Sequence, residues 1–341
     1  MHFGFLRWGE RMNPGIQRLK IAPLNAVALL LTGMCAVTQA AETSYPNRPI
    51  RVIVATAPGG GLDAVTRIVA PKLTDSMGQT WVVDNRSGAS GNLGAEIVAR
   101  ANPDGYTVLT STSTLLTVNP SLYRMPFSIE RDLQPITVLA TGEQVVVVHP
   151  SVPARTLAEL IALAKQKPGV LNYASAGQGT AIHLGAELLK LRAGIDVTQV
   201  RYKGGGPAAV AVLGGEVQLL VGTVASTIAF IQAGRLRALA TTGAKRSKLL
   251  AELPTVAESG YPGFEAGLWF AMTVPGATPK IIAQRIHSET LKALRASDVQ
   301  TAMARQGLEP EPGSPADLAA RIRKETATWA ALIKSTGIRA E

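Results

Sequence analysis

Ile50-Arg51-Val52-Ile53-Val54-Ala55-Thr56-Ala57-Pro58-Gly59-Gly60-Gly61-Leu62-Asp63 is the stretch that decides the architecture. Ile50 to Ala55 is β-branched and apolar at nearly every position, the pattern of a strand buried on both faces. Ala57 to Asp63 is a glycine-rich loop. Beyond it Leu62, Val65, Ile68, Val69 and Leu73 fall at the spacing of one helical face. A short buried strand, a glycine loop and a helix together form the unit of an α/β fold with a mostly parallel sheet.

Working outward, the unit recurs. Strand Trp81 to Val83 leads through Asp84 to Asn92 into a helix from Gly94 to Ala101, which stops at the turn Asn102-Pro103-Asp104-Gly105. Strand Tyr106 to Thr110 enters the hydroxyl loop Ser111-Thr112-Ser113-Thr114. Further on, strand Leu171 to Ser175 enters Ala176-Gly177-Gln178-Gly179-Thr180 and a helix from Ala181 to Leu191. Strand Val197 to Tyr202 enters Lys203-Gly204-Gly205-Gly206-Pro207, strand Val217 to Val221 enters Gly222 to Ser226, and strand Leu236 to Thr241 closes the series. Helix Leu157 to Lys167 starts with a capping box, Thr156 and Glu159. The last helix has Ser314 as N-cap and Pro315 at its first position.

Two extended apolar runs, Val145 to Val148 and Trp269 to Val274, flank the middle third. They read as crossings into and out of an inserted lobe, with hinges near Val147 and Phe270. The expected fold is α/β, with two doubly wound lobes joined by two crossing strands. Residues 45–145 with 268–341 form the first lobe and residues 146–267 the second.

The 341 residues suffice for two domains with separate cores. Residues 1–40 read as an export signal: Arg7, Arg11, Arg18 and Lys20 precede an apolar run from Ile21 to Val37, and Thr38 and Ala40 sit at the positions of an Ala-x-Ala-like cleavage site. The run is short for a bilayer span and contains Pro23 and Asn25. Cys35 follows Met34, where lipoprotein processing wants a small residue. Cleavage near Ala40 removes the only cysteine, and a thiol-free chain suits an oxidising compartment. The formal charge is +10, of which the leader holds +3, leaving +7 spread along the chain. No dense basic stripe with interleaved aromatics marks a nucleic-acid binder.

Ligands of such sheets sit beyond the carboxyl ends of the strands, where helix N-termini direct free N–H groups. Glycine stands at four of these places and lets backbone amides approach an anion. For Gly59-Gly60-Gly61 two readings stand side by side: an anion cradle, or a tight turn in which Asp63 complements the helix dipole. Neither the Walker pattern nor GxGxxG is present. His183 falls in the first turn of its helix and reads more as a half-buried histidine bonded to a loop than as a ligand contact. Lys203 is a loop cation placed to attract an anion.

A catalytic reading finds little support. The chain beyond the leader has His149, His183 and His287, with no HExxH, no paired Cys/His ligands and no GxSxG elbow; Gly88-Ala89-Ser90-Gly91 resembles the last only superficially. No metal site and no cofactor are expected. A secreted α/β hydrolase with distant triad members is the alternative from the enzyme class.

The chain resembles the Bug (TctC-type) extracytoplasmic solute-binding receptors of tripartite tricarboxylate transport systems, from about Tyr45 to Ile338. The resemblance rests on Tyr45-Pro46-x-Arg48-Pro49-Ile50, Pro58-Gly59-Gly60-x-x-Asp63, Asn85-Arg86-x-Gly88-Ala89 and Asn102-Pro103-Asp104-Gly105-Tyr106. It extends through Tyr173-Ala174-Ser175-x-Gly177-x-Gly179-Thr180-x-x-His183, Tyr202-Lys203-Gly204, Gly234-x-Leu236-Arg237-Ala238-Leu239-Ala240, Leu253-Pro254-Thr255 and Pro275-x-Ala277-Thr278-Pro279.

The resemblance implies a periplasmic-binding-protein fold, a type II-like Venus flytrap that closes on a small organic carboxylate in the periplasm and delivers it to membrane transporter subunits. It implies a carboxylate grip by Pro58, Gly59, Gly60, Gly61 and Asp63 in one lobe and by Ala176, Gly177, Gly179, Thr180 and His183 in the other. Ser90, Gly91, Ser111, Thr112, Ser113, Thr114, Lys203, Gly204, Gly222 and Thr223 would form the remaining walls. Asp63 is expected to support the helix start more than to touch the ligand. Family members carry an aspartate where this chain has Gly222, which favours an amine-free dicarboxylate. The receptor is expected to act as a monomer; a receptor that senses the same ligand for a signalling kinase is the alternative within binding proteins.

Overall fold

The computed structural model describes residues 45–336. The export signal, its cleavage site and the last five residues lie outside them. The strands are β1 (Ile50–Val54), β2 (Trp81–Asn85), β3 (Thr107–Thr112), β4 (Leu133–Val148), β5 (Asn172–Ser175), β6 (Thr198–Arg201), β7 (Leu219–Thr223), β8 (Arg237–Thr241), β9 (Gly267–Pro275) and β10 (Leu308–Pro310). The helices are α1 (Gly61–Met77), α2 (Asn92–Ala99), α3 (Ser113–Thr117), α4 (Asn119–Leu122), α5 (Ile129–Asp132), α6 (Leu157–Gln166), α7 (Ala181–Ala193), α8 (Gly205–Leu213), α9 (Val224–Gln232), α10 (Lys280–Arg295), α11 (Ser297–Ala304) and α12 (Pro315–Thr336). Among the described residues no helix is long and apolar enough to cross a membrane.

β4 organises the sheet. Its 16 residues span about 50 Å at ~3.3 Å per residue. Its first part, Leu133 to Glu143, pairs antiparallel with β9; its second, Gln144 to Val148, pairs antiparallel with β7 and, over Val145 to Val148, with β8. On one side the order is β2-β1-β3-β9-β4, with β1 parallel to both β2 and β3; on the other β6-β5-β7-β4, with β5 parallel to both β6 and β7. Each half is therefore a short parallel sheet, first strand in the middle, bounded by an antiparallel strand that arrives from elsewhere in the chain.

The cores follow the same division. One cluster of buried residues joins Ile50 to Ala140 with Leu268 to Ile322 and takes in from the other half only Ala181, at the start of α7. Two others, on the two faces of the second half-sheet, draw on residues between Val145 and Phe264. Burial on both faces explains why Val52, Ile53 and Val54 are all fully enclosed.

The chain passes between halves at Glu143–Gln144 and at Ala266–Gly267. These passages lie side by side: the Gln144 N–H donates to Thr242 Oγ1 at 3.2 Å, and the Ala266 N–H donates to the Thr242 carbonyl at 2.9 Å. The return crossing expected at Trp269 to Val274 belongs wholly to the first core, where it pairs with β3 and β4. That run is apolar because it is buried in one half; the passages themselves are short, and Thr242 hydrogen-bonds to both Gln144 and Ala266.

Caps fix the helix starts. Thr156 Oγ1 accepts from Glu159 N–H at 3.2 Å, and Glu159 Oε2 accepts from Arg155 N–H at 2.6 Å. Ser314 Oγ accepts from Asp317 N–H at 3.1 Å at the head of α12.

Candidate functional site: a cleft of helix N-termini

A cleft of about 500 Å³ opens between the two halves at the carboxyl ends of β1, β3, β5, β6 and β7, within the range of small-molecule sites. Its walls include the first residues or N-caps of six helices: Gly60 and Gly61 of α1, Gly91 of α2, Thr112 of α3, Thr180 and Ala181 of α7, Gly204 and Gly205 of α8, and Thr223 of α9. The leading N–H groups of a helix have no partner within it, and the dipole places partial positive charge there. Thr180 and Thr223 cap α7 and α9 with their own hydroxyls. Gly60, Gly91 and Gly204 offer α1, α2 and α8 no side-chain cap. The consequence is a concave surface of N–H donors.

Side-chain charge points the same way. Arg201 and Lys203 stand at the end of β6, two residues apart, and among the described residues no Asp, Glu or His lines the cleft. Thr56 also lines the cleft, and its Oγ1 is buried without a hydrogen-bond partner among the described residues. Leu268 and Phe270 supply apolar wall; an ideal Cβ on Gly61 would lie 2.9 Å from Phe270 Cζ. A second cavity of about 610 Å³, beneath α12, is lined by Leu116, Phe127, Ile129, Ile322 and similar residues, and no long helix starts in it.

The supporting groups sit one layer back. Asp63 is 5% exposed. Its carboxylate accepts from Gly59 N–H at 3.0 Å, Arg67 Nε at 2.9 Å and Asn85 Nδ2 at 3.0 Å. Burial pushes the Asp63 carboxyl up, but these bonds outweigh it and hold the group below the usual carboxylate value. His183 is 3% exposed, and its Nδ1 accepts from Gly179 N–H at 3.3 Å. Burial lowers its pKa, so the ring is neutral at pH 7, with the proton on Nε2.

Of the residues expected at a site, Gly60, Gly61, Ser90, Gly91, Thr112, Thr114, Ala176, Gly177, Thr180, Lys203, Gly204 and Thr223 line the cleft. Pro58, Gly59, Asp63, Ser111, Ser113, Gly179, His183 and Gly222 do not. Gly59 and Pro58 instead meet the opposite half edge to edge, against Gly206. Ser111 and Ser113 turn inward and are buried. Gly222 lies within β7, and a Cβ there would meet Leu220 Cδ2 at 2.7 Å and Thr227 Cγ2 at 3.3 Å, not the cleft. Sequence reasoning missed Thr56, Tyr123, Arg201, Leu268 and Phe270. Arg201 could have been found, since the last residue of a parallel strand faces the ligand side; Tyr123 follows the short α4, which carries no periodic signal.

The chain belongs to the tripartite tricarboxylate transporter family of receptors, whose family model matches residues 65–338. Its fold is that of periplasmic binding proteins. Protein BugT of Bordetella pertussis (strain Tohama I) is 38% identical over 311 residues, 90% of this chain and 95% of BugT. Among solved structures, R. palustris Rpa4515 with adipate is 34% identical with a TM-score of 0.84, covering 87% of this chain and 100% of that one. MatC (Rpa3494) from Rhodopseudomonas palustris with bound malate is 27% identical with a TM-score of 0.80, covering 85% and 100%.

Proposed function

We propose that this protein captures a small, amine-free dicarboxylate between two lobes and hands it to the membrane subunits of a tripartite tricarboxylate-type transporter. The observation that carries the reading is the convergence of helix N-termini, three of them without side-chain caps, on a cleft that holds two cations and no acid. Charge-assisted hydrogen bonds contribute roughly 1.5–3 kcal/mol each, so four to six of them reach micromolar affinity after the costs of ordering. A ligand ammonium would find no carboxylate on the cleft wall. The adipate on Rpa4515 and the malate on MatC, both dicarboxylates, support the class of ligand.

The protein works in the periplasm as a monomer, after residues 1–40 are removed near Ala40, and performs no chemistry on its cargo. Among the described residues no lining histidine, cysteine or carboxylate is placed to activate a lining hydroxyl. The two lobes are residues 45–145 with 268–341 and residues 146–267; they close as rigid bodies about the paired passages at Gln144 and Ala266. A thermal-shift screen of the exported protein against carboxylic acids tests the reading. Adipate, malate or a related diacid is expected to raise the melting temperature with no turnover; a panel in which no carboxylate does so, while another solute does, overturns it.

A further inference from the structure

The loop Gly88-Ala89-Ser90-Gly91 is left-handed at every residue, with φ of +144°, +45°, +54° and +95°. Ala89 and Ser90 are the only non-glycine residues with positive φ among the described residues. Side chains rarely tolerate that region, and it persists where the surroundings impose it. Asn119 Nδ2 donates to the Ser90 carbonyl at 3.1 Å and to Asn92 Oδ1 at 2.7 Å, pinning the loop.

The conformation sends the Ser90 hydroxyl across the cleft. Ser90 Oγ donates to the Gln178 carbonyl at 2.7 Å, and the Tyr123 hydroxyl donates to the same oxygen at 2.7 Å; the two hydroxyl oxygens are 2.8 Å apart. Gln178 belongs to the other half and is flanked by Gly177 and Gly179, with φ of +111° and +73°. The missing side chain of Gly177 makes room, since an ideal Cβ there would lie 3.1 Å from Ser90 Oγ. Two hydroxyls from one half thus meet one carbonyl of the other directly across the cleft.

We propose that Ser90 and Tyr123 are positioning residues that latch the closed cleft through the Gln178 carbonyl, setting how slowly the ligand escapes rather than how fast it enters. The inference rests on the two-lobe capture reading above. Binding energy from outside the ligand's own contacts is added to the closed state alone, so its loss falls on the dissociation rate.

The test uses the exported protein, from which the only cysteine has been removed with residues 1–40, with spin labels at Val82→Cys and Val170→Cys, two exposed positions on opposite halves. Inter-label distances are measured without ligand and with saturating adipate or malate, alongside stopped-flow rates and the ligand-free melting temperature. Ser90→Ala and Tyr123→Phe are each expected to raise the dissociation rate about tenfold, one net hydrogen bond, with an unchanged association rate. At saturation each should leave a fraction of molecules at the open distance. Unchanged dissociation overturns the latch. So does faster dissociation from a fully closed complex, which would make the hydroxyls direct ligand contacts. So does a ligand-free melting temperature that falls in step, which would make them permanent structural bonds. If neither diacid shortens the distance even before the latch substitutions, the capture reading itself has failed, and the latch with it.

Discussion

The carbonyl oxygen of Pro58 occupies the place where a side chain on Gly206 would begin. These residues belong to opposite halves, and an ideal Cβ on Gly206 would also lie 3.0 Å from Gly59 C and 3.1 Å from its Cα. The obstruction is backbone, so no rotamer change relieves it.

Gly206→Ala should therefore oppose closure while leaving each half intact. Overpacking of this kind costs roughly 1–3 kcal/mol, which in affinity is roughly five- to 150-fold. Calorimetry should show the weakened binding, and the ligand-free melting temperature should stay within a degree or two of the parent. A substitution that lowers the melting temperature and leaves affinity alone would mean that the halves are fixed against one another.

Arg201 and Lys203 are the only cations on the cleft wall among the described residues. Against a ligand with two carboxylates, Arg201→Gln or Lys203→Gln should weaken binding by about tenfold, in line with a charge-assisted bond. Against a monocarboxylate of equal chain length, gripped by the helix N-termini alone, the same changes should matter little. Both cations are exposed, so the dicarboxylate affinity should also fall with added salt. Equal losses for both classes of ligand would assign these residues to general attraction.

His183 gives stability a pH dependence of defined sign. Burial holds its folded pKa below the unfolded value of about 6.5, opposed by Glu187 and reinforced by Lys190 and Arg201. As pH falls through about 6.5 the unfolded chain takes up a proton that the folded chain refuses, so stability declines until the folded pKa is passed; above pH 7 the group contributes nothing to the slope. His183→Asn keeps an acceptor for Gly179 N–H and removes the titration. Melting curves from pH 7.5 to 5 should be shallower for the variant. Parallel curves would show that the imidazole is not the group responsible.

Much of this molecule was written in local patterns. β1 ends one residue short of the run Ile50 to Ala55, and α6 begins at Leu157 behind Thr156 as the capping box requires. Those features depend on neighbours in sequence. What escaped was set by distant packing. Leu133 to Glu143 extends β4 well before the apolar run at Val145, because β9 pairs with it from more than a hundred residues away. Phe270 looked like part of a hinge and is cleft wall; its side chain meets Gly61 only because β9 lies beside β3. At the site, glycines announced the loops, but which glycine faces ligand and which faces the opposite half depends on how the halves meet. Gly60 and Gly59 are adjacent and have different duties.

Gly222 tests the origin of the ligand preference. An aspartate at this position was expected to reach the cleft and meet an ammonium, yet a side chain there heads for Leu220 and Thr227 beneath α9. The proposed preference for an amine-free ligand rests instead on the cleft wall as a whole, which among the described residues carries Arg201 and Lys203 and no acid. Gly222→Asp should accordingly gain no affinity for aspartate or glutamate. It should lose stability, since an unpaired carboxylate would be forced into a packed apolar layer at a cost of several kcal/mol. Thr223, the next residue, does face the cleft, so Thr223→Asp is the informative partner. That change should abolish dicarboxylate binding by placing a negative charge among the helix N-termini. If Gly222→Asp instead remains stable and acquires amino-acid binding, the strand has turned that side chain toward the ligand, and the orientation argued for β7 is wrong.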